Sequence, residues 1–270
     1  MRKSHGRGSR LRKKRQNSTV HLALETHVFR NTYEDEAYAN SYAGLEWSGT
    51  YALVYRDLPG IVREHVKGRR ALDFGCGTGR STRLLRSYGF DITGVDISPS
   101  MIKAAKERDP EGDYILLGDD GLARLPAGSF DLILSAFPFD NIPAPRKPDL
   151  FRALRDLLTP TGRLVNIVSA PEIYTNEWAS FTTMNYPENR RARDGDVVRI
   201  ITREFGGDTP VEDVLCTDEA YRDIYRQSGL DVIADYRPLG KPDDAVEWMS
   251  ETKIAPWVVY VLAASPRSTL

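Results

Sequence analysis

A glycine-rich turn carries the clearest chemical signal in this sequence. Residues 72–81, LDFGCGTGRS, place the spacing Gly-x-Gly-x-Gly between a predicted strand and a predicted helix. Glycine has no Cβ and tolerates positive φ, so such a turn lets the backbone approach a ligand and presents helix N-terminal amides to it. Open α/β sheets bind ligands at the carboxyl ends of their strands, near the topological switch point. The turn therefore predicts a ligand site at that edge.

Two details narrow the class of ligand. Arg80 stands where a dinucleotide-binding fingerprint needs its last glycine for close helix–strand packing, which disfavours an NAD enzyme. Asp96 ends the second predicted strand, where a carboxylate can accept hydrogen bonds from both hydroxyls of a ribose. Met101 lies in the next predicted helix, and its flexible side chain either packs on an adenine face or forms ordinary helix core.

Together these motifs resemble those of the class I S-adenosylmethionine-dependent methyltransferases. Asp73–Gly79 resembles motif I of that family, and Gly94–Ser98 resembles its acidic motif after the second strand. Gly118–Asp120 and Leu125–Ile133 resemble its third- and fourth-strand segment, and the resemblance is strong over residues 68–170. It implies a methyltransferase with S-adenosylmethionine as its cofactor.

The resemblance also implies roles for single residues. Backbone at Gly75 and Gly77 would lie against the methionine moiety and the ribose, and Asp96 would hold the ribose hydroxyls. Asp119 would accept from the adenine amino group with Asp120 beside it, although both also fit as solvated turn acids. The full set of implied cofactor-binding residues is Asp73, Gly75, Cys76, Gly77, Asp96, Ile97, Met101, Asp119, Asp120, Ser135 and Phe137.

Within that set, several residues have more specific interpretations. Asp73 orders the turn, reaches the methionine amine or caps a loop, and Cys76 is a small residue that fits the turn rather than a nucleophile. Ile97 and Met101 would sandwich the adenine, and the residues from Ser135 would face the methyl donor and the acceptor.

Methyl transfer from a sulfonium needs chiefly proximity and alignment, and a base only if the acceptor carries a proton. All four histidines precede the glycine-rich turn, so a base from the core would have to be an acid or a tyrosine. The sequence does not choose among the candidates, which are Asp140, Glu172, Tyr174 and Glu177. No metal-ligand pattern accompanies them.

The loop after the fourth predicted strand bears on the acceptor. Nucleic-acid amino-methyltransferases carry Asp/Asn-Pro-Pro-Tyr/Phe there, whereas this chain has Ala-Phe-Pro-Phe at residues 136–139, which counts against DNA or RNA adenine methylation. The nearby aromatic residues either line an apolar pocket for a small acceptor or pack a lid onto the core. They are Phe137, Phe139, Trp178, Phe181 and Tyr186.

Charge is unevenly distributed along the 270 residues. Residues 1–24 hold eight of the 37 basic residues and no acid, which leaves 29 basic against 38 acidic residues in the rest of the chain. So acidic a body is a poor match to a polyanion. The tail is predicted to be disordered. Three interpretations stay open for it: a solvated extension or a start codon assigned too early, a contact with nucleic acid or an anionic surface, and a targeting signal.

Two cysteines and no membrane-spanning run predict a cytoplasmic protein.

Short strands that alternate with helices predict an α/β fold. We expect a Rossmann-like, seven-stranded, mostly parallel sheet flanked by helices and preceded by N-terminal helices, one of which begins near Pro59. Residues 25–270 would form a single domain, with residues 170–210 as a lid or added β-ribbon after the fifth strand. The predicted strands are 71–74, 91–95, 114–117, 130–135, 163–169, 230–237 and 257–264.

Three functions remain to be compared. The first is methyl transfer to a small molecule, on oxygen, nitrogen or carbon. The second is methyl transfer to a nucleic acid or a protein that the basic tail binds. The third is a non-catalytic module that binds S-adenosylmethionine without transferring its methyl group.

Overall fold

The structure, a computed structural model, describes residues 49–118, 121–203 and 210–266. The basic tail, the helical segment predicted before residue 49, and the predicted adenine ligands Asp119 and Asp120 lie outside the described residues. Within the described part of the chain, every helix is too short or too polar to cross a bilayer.

The described strands form two sheets. Seven of them make one sheet in the order β3-β2-β1-β4-β5-β10-β9, and the other three make a separate sheet in the order β6-β7-β8. In chain order the strands are β1 (Arg70–Phe74), β2 (Asp91–Asp96), β3 (Asp113–Leu116), β4 (Phe130–Ala136), β5 (Leu158–Ser169), β6 (Phe181–Thr182), β7 (Val197–Thr202), β8 (Val211–Val214), β9 (Leu230–Tyr236) and β10 (Trp257–Ala264).

The large sheet confirms the predicted Rossmann-like architecture. β1 pairs in parallel with both β2 and β4, and β3 and β5 continue the parallel arrangement outward. β10 runs antiparallel to both β5 and β9, which gives the predicted edge of two closely linked strands. The strand order reverses between β1 and β4, so the turn after β1 lies at the topological switch point.

Helices cover both faces of this sheet. They are α1 (Ala52–His65), α2 (Arg80–Ser87), α3 (Pro99–Arg108), α4 (Lys147–Leu157) and α5 (Asp218–Gln227). Local sequence explains the starts of two of them. The Ser98 hydroxyl accepts a hydrogen bond from the Met101 N–H, with Pro99 at the first helical position, and Thr217 accepts from Ala220 in the same way.

The predicted helix start near Pro59 is wrong. Pro59 lies inside α1, which runs without a break from Ala52 to His65. A proline costs a helix one backbone hydrogen bond, yet apolar residues on both sides of it, Leu53 and Val62 among them, are buried in one core. Burial of that continuous apolar face outweighs the local breaker.

The core is divided by the sheet. Along β4 the side chains alternate, so that Leu132 and Leu134 pack on the α1 side while Ile133 packs on the other side with Phe151 of α4. This alternation follows from the two-residue period of a strand. Both faces of a central parallel strand are therefore apolar, as expected for a doubly covered sheet.

The second sheet is built from the segment after β5. Its strands β6, β7 and β8 are antiparallel, and β7 falls within the β-like run predicted from Val197. Sequence analysis predicted no strand at residues 211–214. All four of those residues are buried, so β8 lacks the alternation of polar and apolar residues that indicates a half-buried strand.

A buried glutamate joins this added segment to the main sheet. Glu251 is fully buried, and one carboxylate oxygen accepts from the Thr50 hydroxyl at 2.7 Å and the Ala179 N–H at 2.7 Å. Its other oxygen accepts from the Met249 N–H at 2.9 Å. Nearby, the Trp257 indole donates to the Thr50 carbonyl at 2.9 Å. Glu251 thus connects three segments that are distant in sequence.

We expect Glu251→Ala to lower the free energy of unfolding by about 2–4 kcal/mol, because the buried Thr50 hydroxyl and the N–H groups of Ala179 and Met249 lose their acceptor. Urea denaturation followed by circular dichroism measures the change. The exposed Glu247 provides the matched control, since Glu247→Ala should stay within about 0.5 kcal/mol of the wild type. Equal stability of the two variants would contradict the structural role of Glu251.

Candidate functional site

The glycine-rich turn leaves open space at one position. Gly75, Gly77 and Gly79 have φ angles of 71°, 53° and 78°, in the region that side chains disfavour. A Cβ at Gly75 would lie 2.6 Å from the Pro138 Cβ, so that glycine is required by packing. A Cβ at Gly77 would meet nothing closer than the Met101 sulfur at 3.9 Å. The backbone at Gly77 is therefore the accessible part of the turn.

Asp73 holds the turn against the start of α2. The side chain is fully buried, and its Oδ2 accepts hydrogen bonds from the Ser81 and Thr82 hydroxyls, both at 2.6 Å. Burial raises the pKa of this carboxyl to about 6, although the two hydroxyl donors oppose that rise. Its Oδ1 has no hydrogen-bond partner among the described residues, so one oxygen remains available for a donor.

Asp96 crosses from the end of β2 to the same turn. Its Oδ2 accepts from the Gly77 N–H at 2.9 Å, and its Oδ1 accepts from the Ser98 N–H at 2.8 Å. Burial raises the pKa of the Asp96 carboxyl above its ordinary value, while both N–H donors oppose the rise. Each carboxylate oxygen has two lone pairs, so further hydrogen bonds can be accepted. The carboxylate thus lies beside the accessible glycine.

The two residues expected to sandwich an adenine differ in exposure. Ile97 is 62% exposed, which is unusual for a large apolar side chain, whereas Met101 is 2% exposed. Ile97 therefore offers apolar surface that a flat ring could cover, with a favourable free energy from its burial. Met101 packs beneath the turn, with its sulfur towards Gly77.

Ser135 and Phe137 lie at and just beyond the end of β4. Ser135 is fully buried beside its register partners Phe74 and Asn166, and its hydroxyl has no hydrogen-bond partner within the described residues. Phe137 has a φ of 71°, and among the described residues it is the one non-glycine residue with positive φ. Such a conformation costs about 1–3 kcal/mol and often marks a functional loop. It directs the ring towards Trp257, at 4.7 Å between ring centroids.

A cavity lies between this loop and the small sheet. Its volume is about 30 Å³, close to that of one water molecule, within a wider empty region of about 370 Å³ that includes open solvent. Alternate residues of β7 and β8 form one wall, and Tyr51, Phe137 and Trp257 form the other. Phe137 adjoins Pro138, which packs on Gly75, so the cavity is next to the glycine-rich turn. The lining residues are Tyr51, Phe137, Asp140, Asn141, Ser169, Ile173, Phe181, Ile200, Thr202, Val211, Asp213 and Trp257.

The predicted aromatic residues divide between pocket and core. Phe137 and Phe181 line the cavity. Phe139 stacks on Phe151 at 3.9 Å, and the buried Trp178 donates to the Ile173 carbonyl, so both of them pack the fold together. Each of the two interpretations offered by the sequence therefore describes some of these residues.

The candidate bases also separate in space. Asp140 lines the cavity and Tyr174 is buried beside it, with its hydroxyl donating to the Asp213 Oδ2 at 3.0 Å. Burial raises the pKa of Asp140 to about 6 and that of Tyr174 well above its ordinary value. Glu177 instead pairs with Arg203 at 2.6 Å and accepts from the Thr183 N–H, outside the cavity lining.

Sequence reasoning missed two charged residues at the cavity. Asp213 lines it from β8, and Lys147, at the start of α4, is fully buried nearby. Burial, followed by repulsion from Asp140, raises the pKa of Asp213 to about 7, whereas burial lowers that of Lys147. The only local signal is an acidic pair within the apolar run 211–215, which sequence analysis did not separate from surface charge.

Comparison with known proteins finds similarity in the part of the chain that contains the glycine-rich turn. The family model described as a methyltransferase domain matches residues 72–166, from β1 through β5. The ubiquinone biosynthesis O-methyltransferase of Xanthomonas axonopodis pv. citri is 33% identical over 36% of this chain and 41% of that protein. The 2-methyl-6-phytyl-1,4-hydroquinone methyltransferase of Synechocystis sp. is 38% identical over 36% of this chain and 31% of that protein.

Solved structures extend the likeness to the whole fold. The CcbJ methyltransferase of Streptomyces caelestis superimposes with a TM-score of 0.59 at 20% identity, over 87% of this chain and 99% of that one. The sequence matches, by contrast, span less than half the length of the two curated relatives named above. The family model covers the part of the chain that forms the turn and the parallel strands β1 to β5, and residues 72–166 are therefore a methyltransferase domain.

Proposed function

We propose that this protein is a methyltransferase that uses S-adenosylmethionine to methylate a small molecule. One observation carries the proposal: the Asp96 carboxylate is bonded across the accessible Gly77 backbone at the topological switch point of the sheet. The names of the relatives in Xanthomonas and Synechocystis, which are methyltransferases of quinone-type small molecules, support it.

The described residues fit the parts of S-adenosylmethionine. Asp96 suits the ribose hydroxyls, the exposed Ile97 suits the adenine, and the unpartnered Oδ1 of Asp73 suits the ammonium of the methionine moiety. When bound, the cofactor supplies an electrophilic methyl group on a sulfonium. The glycine-rich turn would hold it by close backbone approach, as the open space at Gly77 permits.

The chain itself would supply alignment and an acceptor site. In-line displacement gains most from two reactants held at the right distance and angle. The cavity beside Phe137 is walled mainly by aromatic and aliphatic side chains, which suits a small acceptor with an apolar body. The small sheet forms one wall of that cavity, so the described part of residues 170–210, extended by β8, would act as a lid.

No described feature favours the tail-dependent alternative. The residues that line the cavity include two carboxylates and no basic side chain, which disfavours a polyanionic substrate. A cytoplasmic location fits the two free thiols, Cys76 and Cys216, both of which are buried.

Cofactor class is tested by isothermal titration of the purified chain with S-adenosylhomocysteine and, separately, with NAD. We expect micromolar affinity for S-adenosylhomocysteine and no measurable heat with NAD, since Arg80 takes the place of the last fingerprint glycine. Binding of NAD alone would refute the proposed function.

The role of Asp96 is tested by Asp96→Ala and by the milder Asp96→Asn. We expect Asp96→Ala to weaken S-adenosylhomocysteine binding by about 1–3 kcal/mol, because two ribose hydroxyls lose their acceptor. Asp91, an exposed carboxylate at the opposite end of the same strand, provides the control Asp91→Ala. Unchanged affinity in Asp96→Ala, with an intact circular dichroism spectrum, would remove Asp96 from the site.

A further inference from the structure

The cavity is lined by more acidic than basic side chains. Two buried carboxylates, Asp140 and Asp213, line it, and the buried cation that acts on both is Lys147. Lys147 is the basic side chain that lowers the pKa of both acids, and a second buried cation, Arg80, lies over the ring of the lining residue Tyr51. An unpaired charge is costly to bury, so the hydrogen bonds of each carboxylate show which of the two is paired with Lys147.

Asp140 belongs with Lys147. The Tyr221 hydroxyl links them, since it lies 3.4 Å from the Lys147 Nζ and 3.5 Å from the Asp140 Oδ1. The other oxygen of Asp140 accepts from the N–H and the hydroxyl of Ser169, at 3.0 and 2.8 Å. Asp140 therefore has a neighbouring cation and three donors, and its carboxylate is stabilised by the protein itself.

Asp213 accepts fewer hydrogen bonds from the described residues than Asp140 does. Its side chain is 6% exposed, and its Oδ2 accepts one hydrogen bond, from the Tyr174 hydroxyl. Among the described residues, nothing donates to its Oδ1, although the residue lines the cavity. A carboxylate so placed either keeps its proton or gains a cation from a ligand.

The remaining walls also suit a cation. Phe137, Phe181 and Trp257 line the cavity, and the faces of such rings attract ammonium groups. The Tyr51 ring, which also lines it, already holds the Arg80 guanidinium at 5.3 Å from its centroid. An acceptor that reacts as a phenolate or carries a carboxylate would meet two acids there, with no cation among the described lining residues. The charge of the cavity therefore distinguishes nitrogen from oxygen nucleophiles.

We propose that the cavity binds an acceptor with an amine on an apolar body, and that Asp213 is the catalytic residue that takes the proton from its nitrogen. This inference rests on the proposed function. It goes further by naming the atom that is methylated and the residue that prepares it.

The step balances in protons and electrons. An ammonium group enters beside the Asp213 carboxylate and transfers one proton to it. The nitrogen lone pair thus released attacks the methyl carbon as the carbon–sulfur bond breaks, and the electron pair of that bond stays on sulfur. The product is an N-methylammonium ion, and Asp213 later returns its proton to solvent.

Binding tests this inference without turnover. With S-adenosylhomocysteine present at saturation, the full chain is titrated with phenethylamine, 2-phenylethanol and 3-phenylpropionate, which share an apolar body and differ in the head group. We expect phenethylamine to bind at least about tenfold more tightly than the alcohol, because Asp213 gains its missing cation. Equal affinity for amine and alcohol, preference for the carboxylate, or no binding of the amine would overturn the proposal.

Asp213→Asn identifies the group responsible. It should remove the preference for phenethylamine and leave alcohol affinity within about twofold. Glu188→Gln, at an exposed carboxylate of the same added segment, should keep the preference. If Asp213→Asn retained the preference, Asp213 would not be the anion that binds the amine.

Dependence on pH gives a second readout. The groups that face Asp213 are Asp140, Lys147 and Tyr174, and the pKa of Asp213 is raised to about 7. Phenethylamine stays protonated in this range, so its affinity should rise from about pH 5 to about pH 8 as Asp213 ionises, and stay flat in Asp213→Asn. A flat profile in the wild type would count against the proposal.

Folding of Asp213→Asn is checked by measuring its free energy of unfolding at several pH values. Because the pKa of Asp213 is higher in the folded than in the unfolded chain, ionisation through about 7 destabilises the wild type. Asp213→Asn should therefore gain stability relative to the wild type between about pH 5 and about pH 8. Normal S-adenosylhomocysteine binding without amine selectivity would refute only this inference, whereas loss of both in the wild type would refute the proposed function.

Discussion

The parallel pairing of β1 with both β2 and β4 is the constraint on which the rest of the site depends. Parallel strands end at the same edge of a sheet, so the loops that follow these three strands meet. This brings Asp96 to the Gly77 amide and Pro138 onto Gly75. The proposed cofactor site and the proposed acceptor cavity share a border because β1 separates the strands that lead to them.

The carboxylates at that edge differ in how many hydrogen bonds they accept from the protein. Around the glycine-rich turn, both carboxylates accept hydrogen bonds from nearby donors, the Ser81 and Thr82 hydroxyls at Asp73 and the N–H groups at Asp96. In the cavity, the network of Lys147 and Tyr221 satisfies one carboxylate, and within the described residues it leaves Asp213 with a single hydroxyl donor. The donors at the turn order its backbone, whereas the proposed amine would complement the charge of Asp213.

Sequence motifs predicted the seven-stranded sheet more accurately than they predicted the three-stranded sheet added after β5. Strands β1, β2 and β4 are short runs with apolar residues, and the helix after β2 is capped by Ser98. β5 begins at Leu158, earlier than the predicted start at residue 163. Two features escaped this reasoning. Pro59 suggested a helix boundary, and the buried run of β8 had no period, because in both places long-range burial outweighed the local pattern.

By itself the sequence predicted the sheet and the glycine-rich turn with its carboxylate at Asp96, because backbone preferences and apolar periods act over a few residues. Only the tertiary structure decided the cavity beside Phe137 and its charge. Asp140, Lys147 and Asp213 lie on a loop, a helix and a strand of a different sheet, and each of them is an ordinary charged residue in its own segment. Their burial and their mutual fields arise from packing between those elements, and no local pattern encodes them.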